Sequence, residues 1–184
     1  MKKEELRKIN KIKRKEMLSY EVNEKSKMAA EVLLNSEIYK NSKVIMLYYP
    51  LGNETDTSYI FKRALIDNKK VVYPITDSNT NEMTAVLVDA NTQFSKGAYS
   101  VFEPDVKEDF DAKIDLVIVP GIAFDKRGFR VGFGKGCYDR FLGKIEAFKV
   151  GLCYDFQVVN DIENDSYDIK MDYLVSESGM IICE

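Results

Sequence analysis

Residues 120–142, PGIAFDKRGFRVGFGKGCYDRFL, gather five of the chain's ten glycines, add Arg127, Arg130 and Lys135, and run into a predicted helix. Glycines let backbone N–H groups turn inward around an anion, a helix start adds partial positive charge, and cationic side chains neutralise phosphate. The chemistry this pattern serves is the cradling of a phosphate group. It is not a Walker A loop, because Gly136 and Cys137 stand where Ser or Thr would follow Lys135, and the glycine spacing departs from GxGxxG. An ordinary flexible connection is the alternative. Asp139, in the first turn of the helix, either holds a cation such as Mg²⁺ against the phosphates or simply complements the helix dipole.

A second loop, YYPLGNETDTSYIF, places Glu54 and Asp56 where a ligand above the sheet would be reached. A carboxylate there accepts hydrogen bonds from an N–H-rich heterocycle. Thr55 or Asp56 is expected to cap the following helix, which leaves Glu54 unexplained by capping. The chain contains no histidine, which removes Ser-His-Asp and Cys-His catalysis, His-ligated zinc and imidazole acid–base chemistry together. Any reaction must run on carboxylates, lysine, arginine and backbone amides. Cys137, Cys153 and Cys183 show no CxxC spacing, so neither a disulfide framework nor a zinc site is expected. Cys137, at a helix start beside Lys135, is expected to have a lowered thiol pKa.

These loops need a scaffold. Residues 43–49 (KVIMLYY), 70–73, 115–119 (DLVIV), 148–153 and 173–176 read as buried strands, residues 83–88, 99–102 and 180–183 as shorter ones. Amphipathic patterns predict helices near the N-terminus, over residues 22–33, after Asp56 and over residues 138–145. Near-continuous apolar strands alternating with helices indicate an α/β fold, a mainly parallel sheet covered on both faces, with ligands outside the carboxyl ends of its strands. The informative loops are therefore those after Tyr49, Val119 and Cys153.

With 184 residues, 45% apolar and 31% charged, one globular domain spanning 1–184 is expected, and disordered and fibrous classes are excluded. No apolar run approaches the roughly 20 residues that span a bilayer, and the charged N-terminal run has no signal-peptide core, so the expectation is a cytoplasmic chain with no membrane partner. Net charge is −3, yet residues 1–18 and 126–149 each carry +5 and the remainder −13. Two cationic segments in an acidic body fit a small anion between them better than a long nucleic acid; a solvated lysine-rich face is the bland alternative.

The residues together resemble the 5-formyltetrahydrofolate cyclo-ligase family, also called 5,10-methenyltetrahydrofolate synthetases. The resemblance rests on KxxLR at residues 3–7 with a later Arg14, on YxPxxxExxT (Tyr48, Pro50, Glu54, Thr57), on the long glycine block, and on Gln157 and MDYLVSE with Asp172. It implies a three-layer α/β/α sandwich like the NagB/RpiA/CoA-transferase class. It also implies ATP- and Mg²⁺-dependent closure of 5-formyltetrahydrofolate, with or without a polyglutamate tail, to 5,10-methenyltetrahydrofolate, acting as a monomer. Lys3, Arg7, Arg14, Arg130, Gly132, Gly134, Lys135, Gly136 and Tyr138 would line ATP, with Lys135 and Arg130 catalytic. Asp139 and Asp172 would hold magnesium. Tyr49, Glu54, Phe133, Lys135 and Cys137 would face the folate. Many members read GRGKGYYD or GYGKGYYD, so Phe133 and Cys137 exchange a guanidinium or phenol for a phenyl ring and a thiol. A noncatalytic nucleotide- or RNA-binding module and a sugar-phosphate isomerase of similar fold are the competing readings.

Overall fold

The computed structural model describes residues 1–106 and 108–184. Helix α1 (Lys3–Glu16) opens the chain with Glu4 and Glu5 in its first turn and Lys13, Arg14 and Lys15 in its last, complementing the helix dipole at both ends. Leu6, Asn10 and Arg14 recur every four residues and form its buried stripe. Helix α2 (Ser19–Leu34) follows, its start secured by Glu21 accepting from the Leu18 amide at 2.8 Å. Helix α3 (Glu37–Asn41) is capped by Ser36.

Strand β1 (Val44–Met46) lies at the sheet's interior, and α4 (Ser58–Ile66) returns the chain to β2 (Lys70–Thr76), which turns back as β3 (Met83–Val88). A hairpin of β4 (Phe94–Lys96) and β5 (Phe102–Pro104) precedes β6 (Leu116–Val119). The glycine-rich segment contains β7 (Ala123–Asp125) and β8 (Arg130–Val131) and ends in α5 (Cys137–Leu142). Strands β9 (Phe148–Leu152), β10 (Val158–Val159), β11 (Tyr173–Ser176) and β12 (Gly179–Ile182) complete the chain.

The main sheet has seven strands in the order β12-β11-β9-β6-β1-β2-β3. Its neighbours pair in parallel except at the two edges, where β12 and β3 are antiparallel. Alternation along the strands sends Ile45, Leu47, Leu116 and Ile118 to a core under α2, α3 and α4, and Met46, Val117 and Val119 to a second core with Phe124, Phe141 and Leu142. Full burial of each such side chain contributes about 1.5–3 kcal/mol. The sheet is thus covered on both faces, as the sequence pattern predicts.

A three-stranded sheet, β10-β7-β8, sits apart, and α1 packs on it through Leu6 against Ile122, Ala123, Phe129 and Val131. Among the described residues, no helix is long and apolar enough to cross a membrane.

Three expectations are corrected. Residues 99–102 are not a strand: Tyr99 and Ser100 have φ of 55° and 63°, a tight left-handed turn joining β4 to β5. The stretch from 120 to 136 is not loop throughout, since Ala123 and Phe124 pair with Val131 and Arg130. Helix α5 stops at Leu142, where Gly143 caps it, rather than running to residue 145.

Candidate active site

The carboxyl ends of β1, β6 and β9 carry the loops that hold the candidate residues. After β1 the chain passes through Tyr48, whose hydroxyl donates to the Thr55 carbonyl at 2.7 Å, while Thr57 Oγ1 donates back to the Tyr48 carbonyl at 2.8 Å. These two bonds close the YxPxxxExxT loop on itself. The N-cap position of α4 is Thr57 rather than Thr55 or Asp56, and Asp56, one residue earlier, accepts from the Ser58 amide. Glu54 is left free to turn inward, with only 5% of its side chain exposed. Its Oε2 accepts from the Leu51 amide at 2.9 Å, and its Oε1 lies 3.4 Å from Arg14 Nη1. Burial pushes the Glu54 carboxyl up, and Arg14 and the Leu51 amide pull against that shift without cancelling it.

After β6 the link to β7 is held by buried amides. Asn10 Nδ2 donates to the Ile122 carbonyl, and Gln157 Nε2 to the carbonyls of Gly121 and Ile122. The β7–β8 hairpin then presents Arg130, 8% exposed, at the base of the glycine loop. Its Nη2 donates to Asp139 at 3.1 Å, its guanidinium lies 5.3 Å from the Tyr138 ring centroid, and its buried Nε has no partner among the described residues. A donor left unpaired next to a glycine loop fits an anion-binding role. A Cβ on Gly132 would stand 2.7 Å from Arg130 Nη1, so any larger residue there would push the tip of this guanidinium aside. At Gly134 the reason is conformational, φ +94°.

Helix α1 closes the other side. Arg7 Nε donates to the Gly132 carbonyl at 2.9 Å. Lys3 is occupied by Asp165 (2.9 Å) and Asp168 (2.5 Å), one residue before Ile169, whose amide donates to Asp139 at 3.3 Å. Lys3, Arg7, Arg130, Gly132, Gly134 and Tyr138 thus belong to one connected wall. Lys135 and Gly136 lie at its exposed rim, where Lys135 Nζ sits 5.6 Å from the Tyr99 ring and the Lys135 carbonyl accepts from Arg140 Nη2 at 2.7 Å. Arg14 is not on this wall; it lies against Glu54, two turns further along α1.

Tyr49 stands half-exposed between Phe94 and Phe102, at 5.4 and 5.1 Å between ring centroids. Phe94, Phe102 and Tyr99 escape the sequence reading, although alternation about Gly97 (Phe94, Lys96, Phe102) is a hairpin signal. Phe133 is 47% exposed with Lys11 Nζ 5.1 Å from its ring. Cys137 is not acidified as expected: burial pushes its thiol up, outweighing Arg140, Arg130 and Lys135.

The two aspartates expected to hold magnesium do not fit a shared cation site. Asp139 is committed to Arg130 and the Ile169 amide, whereas Asp172 precedes β11, at the amino ends of the parallel strands, and accepts from the Lys149 amide at 2.7 Å and Lys149 Nζ at 3.4 Å. Among the described residues, no group of three Cys, Asp or Glu side chains is arranged to hold a metal.

Comparison with known proteins gives a consistent result. The sequence model of the 5-formyltetrahydrofolate cyclo-ligase family matches residues 1–177. The chain is 32% identical over 138 residues to a 5-formyltetrahydrofolate cyclo-ligase of Mycoplasma pneumoniae, covering 73% of each chain. Its fold is similar to the solution structure of Aquifex aeolicus 5,10-methenyltetrahydrofolate synthetase, with a TM-score of 0.85, 34% identity and coverage of 98% and 92% of the two chains. It is also similar to a 5,10-methenyltetrahydrofolate synthetase structure from Mycoplasma pneumoniae, with a TM-score of 0.74, 27% identity and coverage of 96% and 99%.

Proposed function

Since the chain belongs to the 5-formyltetrahydrofolate cyclo-ligase family, we propose that it closes 5-formyltetrahydrofolate to 5,10-methenyltetrahydrofolate at the expense of ATP, releasing ADP and phosphate. The observation that carries this reading is the convergence of Arg7 and Arg130 on Gly132, at the same end of the sheet as the buried Glu54. One side suits a polyphosphate, the other an N–H-rich heterocycle.

In this reading the formyl oxygen attacks the γ-phosphate and ADP leaves. Nitrogen 10 then attacks the activated formyl carbon, losing its proton, and inorganic phosphate departs with the former formyl oxygen. Phosphoryl transfer is catalysed mainly by positioning and charge neutralisation, which suits a chain without histidine. Arg130 and Lys135 neutralise charge developing on the transferred group, and Arg7 with the amides of Gly132, Gly134 and Gly136 orients the nucleotide. Glu54 accepts hydrogen bonds from the pterin, and Tyr49, Phe133 and Cys137 pack beside the folate. The reading assigns no step to a metal held by Asp139 and Asp172.

The test is direct. The protein is mixed with 5-formyltetrahydrofolate, ATP and Mg²⁺, and the near-ultraviolet absorbance of the methenyl product is followed. Product formation that requires both ATP and the formyl-folate is expected; no product with either the free or polyglutamylated substrate overturns the reading.

A further inference from the structure

Arg14 and Arg7 are seven residues apart on α1, which places them on one face about 10 Å apart along the axis. They serve different loops. Arg7 reaches the Gly132 carbonyl, but Arg14 turns under the loop after β1, with its side chain 9% exposed. There Nη1 lies 3.4 Å from Glu54 Oε1 and Nη2 3.4 Å from the Leu51 carbonyl. Asn53 clamps the same junction from the other direction, donating Nδ2 to the Arg14 carbonyl at 2.8 Å and the Met17 carbonyl at 3.1 Å.

We propose that Arg14 is a positioning residue for substrate binding: it pairs with the Glu54 carboxylate and aims it at the folate, and it makes no contact with the nucleotide. The proposal rests on the reading of Glu54 as the pterin's acceptor given above. A carboxylate offers about four lone-pair sites. Arg14 takes one on Oε1 and the Leu51 amide one on Oε2, which leaves one on each oxygen for two donors of a bound heterocycle.

The groups facing Glu54 make its charge depend on Arg14. Tyr48, which follows β1, and Tyr138 of α5 are phenols that burial keeps neutral, and since a phenol can only become an anion, neither offsets the carboxylate's charge. Arg14, from α1, is the cation bonded to the carboxylate, and it opposes the upward push of burial. Buried carboxyls without such a partner titrate as high as about 8–9. A protonated Glu54 would donate where the substrate also donates.

The test measures equilibrium binding of 5-formyltetrahydrofolate and steady-state KM values between about pH 6 and 9 for the parent chain, Arg14→Met, Arg14→Lys and Glu54→Gln. Arg14→Met is expected to weaken folate binding at least tenfold at pH 7, with affinity recovering as pH rises and Glu54 ionises, while the KM for ATP stays within about twofold. Arg14→Lys, which keeps the charge, is expected to lose only a few-fold in folate affinity and to follow the parent's pH profile. A rise in the ATP KM of tenfold in either variant, or a loss of folate affinity in Arg14→Met that does not recover with pH, overturns the proposal. If Arg14→Met fails to fold, Arg14→Lys decides alone: a folate pH profile that follows the parent's with ATP KM unchanged supports the proposal, and a raised ATP KM or a folate pH profile that departs from the parent's overturns it. Glu54→Gln separates the two levels, because unchanged folate affinity there removes the underlying reading, whereas weakened affinity there with intact binding in Arg14→Met removes only the role of Arg14.

Discussion

Arg7 donates its Nε to the Gly132 carbonyl across a separation of 125 residues in sequence, joining the first helix to the glycine loop. The two cationic stretches of the chain are thereby brought to one place, with both Arg130 and Arg7 beside Gly132. Convergence of positive groups on a glycine-rich loop is one way proteins hold polyphosphates.

The first prediction concerns that bond. Arg7→Ala should raise the KM for ATP about tenfold or more, equivalent to roughly 1.4 kcal/mol of binding. The KM for the formyl-folate should change less, because the Arg7 guanidinium bonds the Gly132 carbonyl rather than Glu54. Steady-state kinetics with each substrate varied in turn provides the check; an unchanged ATP KM contradicts the assignment.

Lys135 sits on the exposed rim with its ammonium over Tyr99 rather than locked into the wall. It is therefore expected to act late, on the charge that develops as the phosphoryl group transfers. Lys135→Ala should lower turnover by ~10²-fold or more, more than it weakens ground-state binding of either substrate. Near-parental turnover measured by methenyl absorbance would reduce this lysine to a surface charge.

A stability prediction comes from the opposite end of the sheet. Asp115 accepts from the amides of Lys43 and Val44 at 2.8 and 3.0 Å, stitching the start of β1 to β6. Burial raises its pKa, but these bonds with Lys113 and Lys43 outweigh that, and the net shift is downward. A folded-state pKa below the unfolded one gives stability that is present above the unfolded value and lost as pH falls through the folded value. Asp115→Asn should cost about 1–2 kcal/mol at pH 7, and the difference from the parent should shrink below roughly pH 4. Denaturant titrations at neutral and acidic pH measure this; a gap that persists at pH 3 would assign the loss to packing.

Thiol labelling tests the environment of Cys137. With burial holding its pKa above the ordinary thiol value despite three nearby cations, it should react slowly with a maleimide or disulfide reagent at pH 7 and accelerate only as pH rises beyond the ordinary thiol range. Site-resolved mass spectrometry, with Cys137→Ser as the control, distinguishes it from Cys153 and Cys183. Rapid modification at pH 7 would mean that the cations prevail.

Much of the scaffold is legible because strand burial and helix amphipathicity are local patterns. The runs KVIMLYY and DLVIV become adjacent parallel strands β1 and β6, and the alternation along them sorts Ile45 from Met46 onto opposite faces. The β4–β5 hairpin and the small β7–β8 pair escape notice because two or three residues carry no readable period, and because Tyr99 and Ser100 enter a left-handed turn that sequence does not announce. Cys137 shows a related limit: proximity in sequence to Lys135 suggests an acidic thiol, but burial, a tertiary quantity, has the larger effect.

By itself the sequence determined which chemistry was available. The absence of histidine, the glycine block with Arg130 and Lys135, and the isolated Glu54 limit this chain to reactions driven by charge neutralisation and hydrogen bonding. Tertiary structure decided the partnerships. Arg7 and Arg14 share one helix, yet the docking of α1 sends the first to the glycine loop and the second to a buried carboxylate. Asp139 and Asp172, each a plausible metal ligand in sequence, end with different partners, because α5 begins above the sheet while β11 begins at the amino ends of its parallel neighbours. The reason is physical: a side chain's chemistry is fixed by its type, but its charge state and partner depend on which distant segments exclude water around it.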